Sequence, residues 1–327
     1  MSHPEREPEG TDSDSVGVID TVGQAFGLLN KRPYLIWLPI LLDVVIWTGW
    51  RVSIVEPLSG ADLRITGAAR TAFDVFSDWL AGLELVSLLS SLLPTLLDGT
   101  GTGPVPELPG GTHHELTGEP ALIMVALTGF AAFVIGMMYL TMIGRIVINQ
   151  PAWGFGYIRD VLATSVRAAG LGMTMIGLVA FLMLPFALIA VVLYLLGIMP
   201  WVLLFLVTLV FISWFGLVSF FGIQAIALGE HRVMWAVRSS YQLLTNNLLA
   251  VAGLLLIALV IRTGTPVALQ VFTDTQWSVP FAIVVNAYIA TGLLTAMMLF
   301  YHNRSPQFAV GSAVDQPDAR TEQKGPA

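Results

Sequence analysis

Three polar residues interrupt long apolar runs of this chain: Asp43, Arg262 and Asn286. A charged side chain at the centre of a bilayer costs roughly 2.5 to 3.5 kcal/mol on insertion scales, so we expect Asp43 and Arg262 to face the protein interior or a watery cleft together. In a transport path they would form a coupling pair or a substrate contact. The structural alternative, which we favour, is a buried ion pair or an Arg262 that reaches outward to the interface.

Helix geometry gives each of these residues a depth. Asp43 follows Pro33 by ten residues, which is about 15 Å along a helix and near the midplane. Arg262 lies about 21 Å from Leu248, at the inner end of its span. Asn286 lies about 9 Å from the outer end of the last span. The sequence therefore predicts that Arg262 and Asn286 share a depth, with Asp43 somewhat deeper.

Other residue patterns offer little chemistry. The chain has no cysteine, which excludes disulfides, thiolate nucleophiles and cysteine-based metal sites. His113, His114, Glu115 and Glu119 could bind a metal, but adjacent histidines in a Gly/Pro-rich loop are usually just solvated. No Ser/His/Asp set and no intramembrane carboxylate cluster supports an enzyme. We expect no catalytic residue, no cofactor and no metal site.

A long stretch without Asp, Glu, Lys or Arg, Ala168 to Gly229, organises the rest of the chain. It contains two runs longer than the roughly 20 residues that cross a bilayer, separated by a turn at Gly197 to Pro200. We therefore predict an all-α, polytopic integral membrane protein. Its six transmembrane helices form three hairpins with cytoplasmic interfacial helices, and the spans cover about 33–50, 121–143, 171–196, 201–222, 248–271 and 280–301.

Polar segments divide the remaining chain. Only 11% of the residues are charged and 55% are hydrophobic, and the net charge of −7 comes mainly from the tails and one insert. We expect a disordered acidic tail at 1–17, a membrane domain at 18–304 and a disordered tail at 305–327. The insert, 52–119, would be an outer cap with an amphipathic helix at 64–81. Its segment 82–97 is short for a span and is predicted to be surface-lying or re-entrant.

The distribution of Lys and Arg indicates the orientation. With both termini in the cytoplasm, the inner side receives eight basic residues near helix ends: Lys31, Arg32, Arg145, Arg159, Arg167, Arg232, Arg238 and Arg304. The outer side receives only those of the insert. The positive-inside rule therefore favours cytoplasmic N and C termini.

An internal repeat is visible in the segments that precede the odd-numbered spans. Apolar positions of 18–29 match those of 233–244 when Val18 is aligned with Val233, and 158–169 falls on the equivalent face when Ile158 is aligned with Val18. The predicted unit is an interfacial helix followed by a transmembrane hairpin, repeated three times. Alternatively, any amphipathic helix that enters a membrane would give such matches.

One motif supports a resemblance. The segment from Trp235 to Leu248, with its echo from Gln24 to Pro33, resembles the Ala-x-x-x-Ser-x-x-Leu-x-x-x-Asn/Gly pattern of a group of bacterial membrane proteins. That group includes the membrane domain attached to some glycerophosphodiester phosphodiesterases and its stand-alone relatives. The resemblance covers about 121–304 and implies a six-helix fold in a bacterial inner membrane. It carries over no catalytic residue, because the phosphodiesterase barrel is missing.

These observations predict a non-catalytic protein of the bacterial cytoplasmic membrane that organises the membrane, contacts lipid or assists assembly. Its partners would be membrane lipids and, in an assembly role, other membrane proteins, but not nucleic acid. The alternative is a small-solute or lipid transporter that uses Asp43 and Arg262.

Overall fold

The structure, a computed structural model, describes residues 17–47, 51–54, 93, 95–96, 113–116, 119–152, 154–197, 201–229, 232–270 and 278–305. The predictions for the N-terminal tail, for the amphipathic helix at 64–81 and for the C-terminal tail lie outside the described residues, apart from Gly17 and Ser305. Segment 82–97 is described only at 93, 95 and 96.

Helices account for nearly all of the described chain, together with a 3₁₀ turn at Pro33–Ile36 and two short strands. The strands, β1 (Arg51–Ile54) and β2 (His113–Leu116), pair in parallel with Arg51 opposite His113, and no sequence pattern indicated them. The helices are α1 (Val18–Lys31), α2 (Trp37–Trp47), α3 (Glu119–Val147), α4 (Phe155–Leu195), α5 (Trp201–Ala227), α6 (Val233–Asn246), α7 (Leu248–Gln270) and α8 (Val279–Arg304).

Five of the described helices, α3, α4, α5, α7 and α8, are long and apolar enough to cross a bilayer. On α4 the side chains of Met173, Phe181 and Leu188 are 75%, 69% and 68% exposed, and they belong to a much larger set of exposed apolar side chains. A protein in water does not carry an apolar surface of this extent, so lipid must cover it. The predicted all-α, multi-pass integral membrane fold is confirmed.

The first predicted span, 33–50, is described as far as Trp47. The predicted range 33–50 contains the 3₁₀ turn and α2, which together form one apolar helical segment, Pro33–Trp47. At rises of about 2.0 and 1.5 Å per residue it reaches roughly 25 Å, less than the approximately 30 Å of hydrocarbon. The count of six spans therefore stays a prediction.

Three helices form the centre of the bundle. Helices α3, α5 and α8 all contact one another, while α2 and α7 pack on α8, and α4 packs on α3 and α5. The close approach of α3 and α5 depends on Gly144, since a Cβ at this position would overlap the carbonyl oxygen of Ala227. Tyr139 and Thr291 join α3 to α8 through a buried hydroxyl–hydroxyl hydrogen bond of 2.7 Å.

The first and third interfacial helices match in length and in burial. Helices α1 and α6 each contain 14 residues, and both of their ends coincide in the predicted alignment. Thr21, Ala25 and Leu29 are buried in α1, and the three aligned positions of α6 are buried as well. Helix α1 packs on α8 and α6 packs on α5, so each lies against the second helix of another hairpin. Because α8 is the second helix of the third hairpin, its contact with α1 places the first unit next to the third.

The second unit departs from the predicted pattern. The segment 158–169 was predicted to be an interfacial helix separate from the span at 171–196, but both belong to the single 41-residue helix α4. The other two units break at Arg32 and Asn247, which have non-helical backbone angles. Arg32 precedes Pro33, and a residue before proline avoids the helical conformation. No proline follows 158–169 until Pro185, so nothing interrupts the helix at this junction.

Two glycines of α3 offer a test of this packing. Gly144→Ala should destabilise the protein by about 1 to 3 kcal/mol, because the added methyl group forces α3 and α5 apart. Gly129→Ala is the matched control: no atom lies within 4 Å of the added Cβ, and alanine favours helix. Thermal unfolding in detergent measures both, and equal midpoints for the two variants would contradict the close contact.

Candidate functional site

Arg262 and Asn286 line one cavity of about 520 Å³ in the bundle. The prediction that these two side chains share a depth is consistent with this geometry. Neighbouring helices α7 and α8 contact each other, and each contributes one of the two residues. The cavity lies among α3, α5, α7 and α8, and the described end of segment 82–97 completes its wall.

Each of the helices α5, α7 and α8 lines the cavity with one of its faces. The α8 residues that line it are Asn286, Ile289, Ala290, Leu293, Leu294 and Met297. Their spacing of three and four residues is that of one continuous stripe on an α-helix. Residues 258, 262 and 265 of α7 and residues 220, 223 and 224 of α5 follow the same spacing. The stripe on α8 extends over about 16 Å, so the cavity is elongated along this helix.

Asp43 helps to build the wall of this cavity. Its side chain is fully buried, and its two carboxylate oxygens accept the backbone N–H of Leu96 at 3.0 and 2.9 Å. Leu93 and Leu96 are buried, and both line the cavity with Thr95. The end of segment 82–97 thus reaches into the bundle, as the re-entrant interpretation expects at these residues. The remainder of that interpretation lies outside the described residues.

Of the two structural alternatives for these charges, the ion pair between Asp43 and Arg262 is not present among the described residues. A backbone N–H from the insert bonds the carboxylate, and no ion pair joins Asp43 to Arg262. The two charges contribute to one cavity in different ways: Asp43 fixes a segment of its wall, whereas Arg262 lines the space itself. Arg262 is exposed and makes no hydrogen bond or ion pair among the residues that the structure describes.

Two carboxamides carry unused hydrogen-bonding groups at the cavity. Asn286 is 6% exposed, and its Nδ2 has no hydrogen-bond partner among the described residues. Gln224 is 1% exposed, and both its Nε2 and its Oε1 lack partners there. A buried polar group without a partner costs about 1 to 3 kcal/mol, so such groups normally have a reason to persist.

Sequence reasoning missed Gln224. The predicted span ended at residue 222, which put this glutamine at the interface, where a polar side chain needs no explanation. In the structure α5 continues to Ala227, so Gln224 lies within the helix. A search for uncharged carboxamides in apolar runs would have found both Gln224 and Asn286.

A second polar group, outside the cavity, stabilises another part of the bundle. Arg145 lies 3.5 Å from the carboxylate of Asp160, and its guanidinium is 5.9 Å from the ring centre of Tyr157. The Tyr157 hydroxyl donates to the carbonyl of Met138 at 2.8 Å. These contacts tie the start of α4 to the end of α3, which is a structural role.

The chemistry of the cavity follows from its lining. Arg262 and the free amide hydrogens of Asn286 are hydrogen-bond donors available to a ligand, and aliphatic side chains cover most of the rest. Such a site can hold a ligand that has a hydrogen-bond-accepting group and a hydrocarbon part. Both oxygens of Asp43 accept the Leu96 N–H, and Asp43 is not among the residues that line the cavity.

Comparison of this chain with protein-family models, with curated proteins and with solved structures finds no match. The resemblance to the membrane domain of glycerophosphodiester phosphodiesterases therefore stays a prediction.

The contact between Asp43 and Leu96 can be tested by hydrogen exchange. In Asp43→Asn an amide nitrogen replaces one acceptor oxygen, and the charge that strengthens the bond is lost. We expect a peptide covering 93–96 to exchange about tenfold faster, because hydrogen bonds to charged groups contribute roughly 1.5 to 3 kcal/mol. Asp20→Asn, at an exposed position of α1, is the control. Unchanged exchange in Asp43→Asn would show that the carboxylate does not hold the insert.

Proposed function

We propose that this protein is a non-catalytic, lipid-contacting factor of the bacterial cytoplasmic membrane, which holds a lipid within its bundle and organises the membrane or an assembly around it. The cavity among α3, α5, α7 and α8 is the observation that carries this proposal. Its volume of about 520 Å³ falls within the range of roughly 300 to 1,000 Å³ that ligand pockets occupy.

The composition of the cavity favours a lipid over a small polar solute. Leucine, isoleucine, phenylalanine, methionine and alanine make up most of its lining, on α3, α5, α7, α8 and the insert. A polar solute would lose its hydration there without equivalent hydrogen bonds, and that loss is costly. A lipid already surrounds the bundle, and its hydrocarbon part suits the aliphatic stripe of α8.

A cavity-filling substitution tests this function. Ala290→Phe places a ring in the space between α7 and α8, so we expect it to lower the amount of lipid that stays with the protein after extensive detergent washing. Native mass spectrometry or lipid extraction measures the retained lipid. Leu188→Phe, at a 68% exposed position of α4, adds a ring outside the cavity and should retain lipid like the unmodified protein.

The outcomes separate the proposed function from its alternatives. Equal lipid retention by Ala290→Phe and Leu188→Phe, with both proteins folded, would refute a lipid in the cavity. A transporter of the same lipid is the second candidate, favoured by Arg262 being unpaired among the described residues and lying on a helix that also contains Gly264 and Pro266. It predicts that proteoliposomes move a fluorescent lipid analogue between leaflets and that Ala290→Phe stops this movement. A binding factor leaves the rate at that of protein-free liposomes.

We also propose that both termini face the cytoplasm. The C-terminal ends of α3, α5 and α8 gather on one side of the bundle, since Gly144 adjoins Ala227 and the rings of Phe221 and Tyr301 stack 6.5 Å apart. Basic residues concentrate near these ends, as they do on the inner side of most membrane proteins.

Single engineered cysteines test this orientation, because the chain has none of its own. An impermeant thiol reagent applied to intact cells should label Thr112→Cys. Arg159→Cys and Val310→Cys should react only after the membrane is permeabilised. The reverse pattern would invert the topology, and labelling of Val310→Cys but not of Arg159→Cys from outside would overturn the number of spans between them.

A further inference from the structure

We propose that the cavity binds an amphiphile with an anionic head group, a carboxylate or a phosphate, whose head lies at Arg262 and Asn286 and whose acyl chain extends along the stripe of α8 towards Met297. This inference deepens the proposed lipid-contacting function and rests on it. It adds the charge of the ligand, the direction in which the ligand lies and the residues that select it.

The charge of the head group follows from the donors at one end of the cavity. Arg262 is a permanent cation, and among the described residues it has neither a carboxylate nor a carbonyl as partner. Asn286 lines the same cavity and has unused donor hydrogens on Nδ2. Asp43, the other intramembrane charge, already accepts the N–H of Leu96 through both oxygens. The cavity therefore offers two donors, one of them charged, and an anion that reaches both would satisfy them.

Among the described residues, the cavity lining includes two threonines and no acidic side chain, which suits an anionic head group. Thr95 lies between the two buried leucines of the turn, and Thr265 of α7 lines the same space. The hydroxyl of Thr265 donates to the carbonyl of Ile261 at 2.7 Å, as hydroxyls on membrane helices commonly do. No acidic side chain of the described residues lines the cavity, so nothing there repels an anion.

The direction of the acyl chain follows from the stripe on α8. Beyond Asn286 the stripe continues through Ile289, Ala290, Leu293 and Leu294 to Met297, over about 16 Å. An extended hydrocarbon chain can follow such a stripe, whereas a compact polar anion would leave most of it uncovered. The apolar stripe of α8 would thus bind the hydrocarbon part of the ligand, while Arg262 would bind its head group.

Gln224 marks the far end of the cavity. The stacking of Phe221 on Tyr301 puts this part of α5 beside the C-terminal part of α8, away from Asn286. Gln224 follows Phe221 by one helical turn, so it lies at the opposite end from Arg262. Its carboxamide therefore lies away from the proposed position of the head group.

Equilibrium binding to the full-length protein in a non-ionic detergent tests the proposal, with radiolabelled oleate as the probe. Oleyl alcohol, which has the same chain and no charge, should compete at least about tenfold more weakly than unlabelled oleate. Lysophosphatidate and phosphatidylglycerol serve as further competitors. The stronger competitor among oleate and these two phosphate lipids identifies the source of the anion, and strong competition by any of them supports an anionic head group.

Variants assign the selectivity to residues. Arg262→Gln should weaken oleate binding about tenfold or more and leave oleyl alcohol unchanged, and Arg262→Lys should restore much of the difference because it restores the charge. Arg159→Gln, at an exposed position of α4 outside the cavity, should keep the preference for oleate. Thermal unfolding verifies that each variant is folded.

Two results would overturn the proposal. One is equal competition by oleate and oleyl alcohol in the unmodified protein, and the other is an unchanged preference for oleate in folded Arg262→Gln. Either result leaves the lipid-contacting function intact if Ala290→Phe still loses its lipid. If Ala290→Phe retains its lipid, the proposed function itself fails, so the two failures are distinguishable.

Discussion

The absence of water from the hydrocarbon region is the constraint on which this structure depends. Every polar group within the bundle must find its partner in the protein or in a ligand, because lipid tails offer none. The hydroxyls of Tyr139 and Thr291 bond to each other at 2.7 Å, and those of Ser239 and Tyr301 do so at 2.6 Å. Each pair joins two helices, so the hydrogen bond that satisfies the two hydroxyls also fixes the helices relative to each other.

Polar side chains of α8 also form hydrogen bonds at two helix junctions. At the break between α6 and α7, the guanidinium of Arg304 donates to the side-chain oxygen of Asn247 at 3.1 Å. The corresponding break after α1 lies next to Asn30, which accepts the hydroxyl of Tyr288 at 2.8 Å. In both units a residue of α8 reaches the junction. Helix α8 is therefore the common support of the first and third units, in keeping with its contacts to α1, α2, α3, α5 and α7.

Local pattern determined most of what could be predicted from the sequence. The apolar periods of α1 and α6 predicted their alignment, since such a pattern needs only neighbouring residues. Counting residues along two helices predicted a common depth for Arg262 and Asn286, and both line one cavity. Long-range contacts could not be obtained in this way. The bond from Leu96 to Asp43 joins residues 53 positions apart, and nothing in either segment specifies it.

The remaining discrepancies also have physical causes. The space around Gly129 of α3 is open, whereas the close approach on this helix occurs at Gly144. Small residues permit close packing without requiring it, so composition alone cannot choose between glycines on one helix. Helix α4 continues through the predicted break because no residue there ends the helix.

The two intramembrane charges illustrate how one constraint has two solutions. Asp43 can accept hydrogen bonds, and a peptide backbone always has N–H groups to donate, so an inserted segment of the chain itself can satisfy it. Arg262 needs an acceptor, and most carbonyls around it are already used within helices, where each bonds the N–H four residues later. A buried acid is thus easily paired by the insert, whereas a cation among complete helices retains its capacity to bind. The acid therefore fixes the wall of the cavity, and the cation is the group that remains to recognise what enters it.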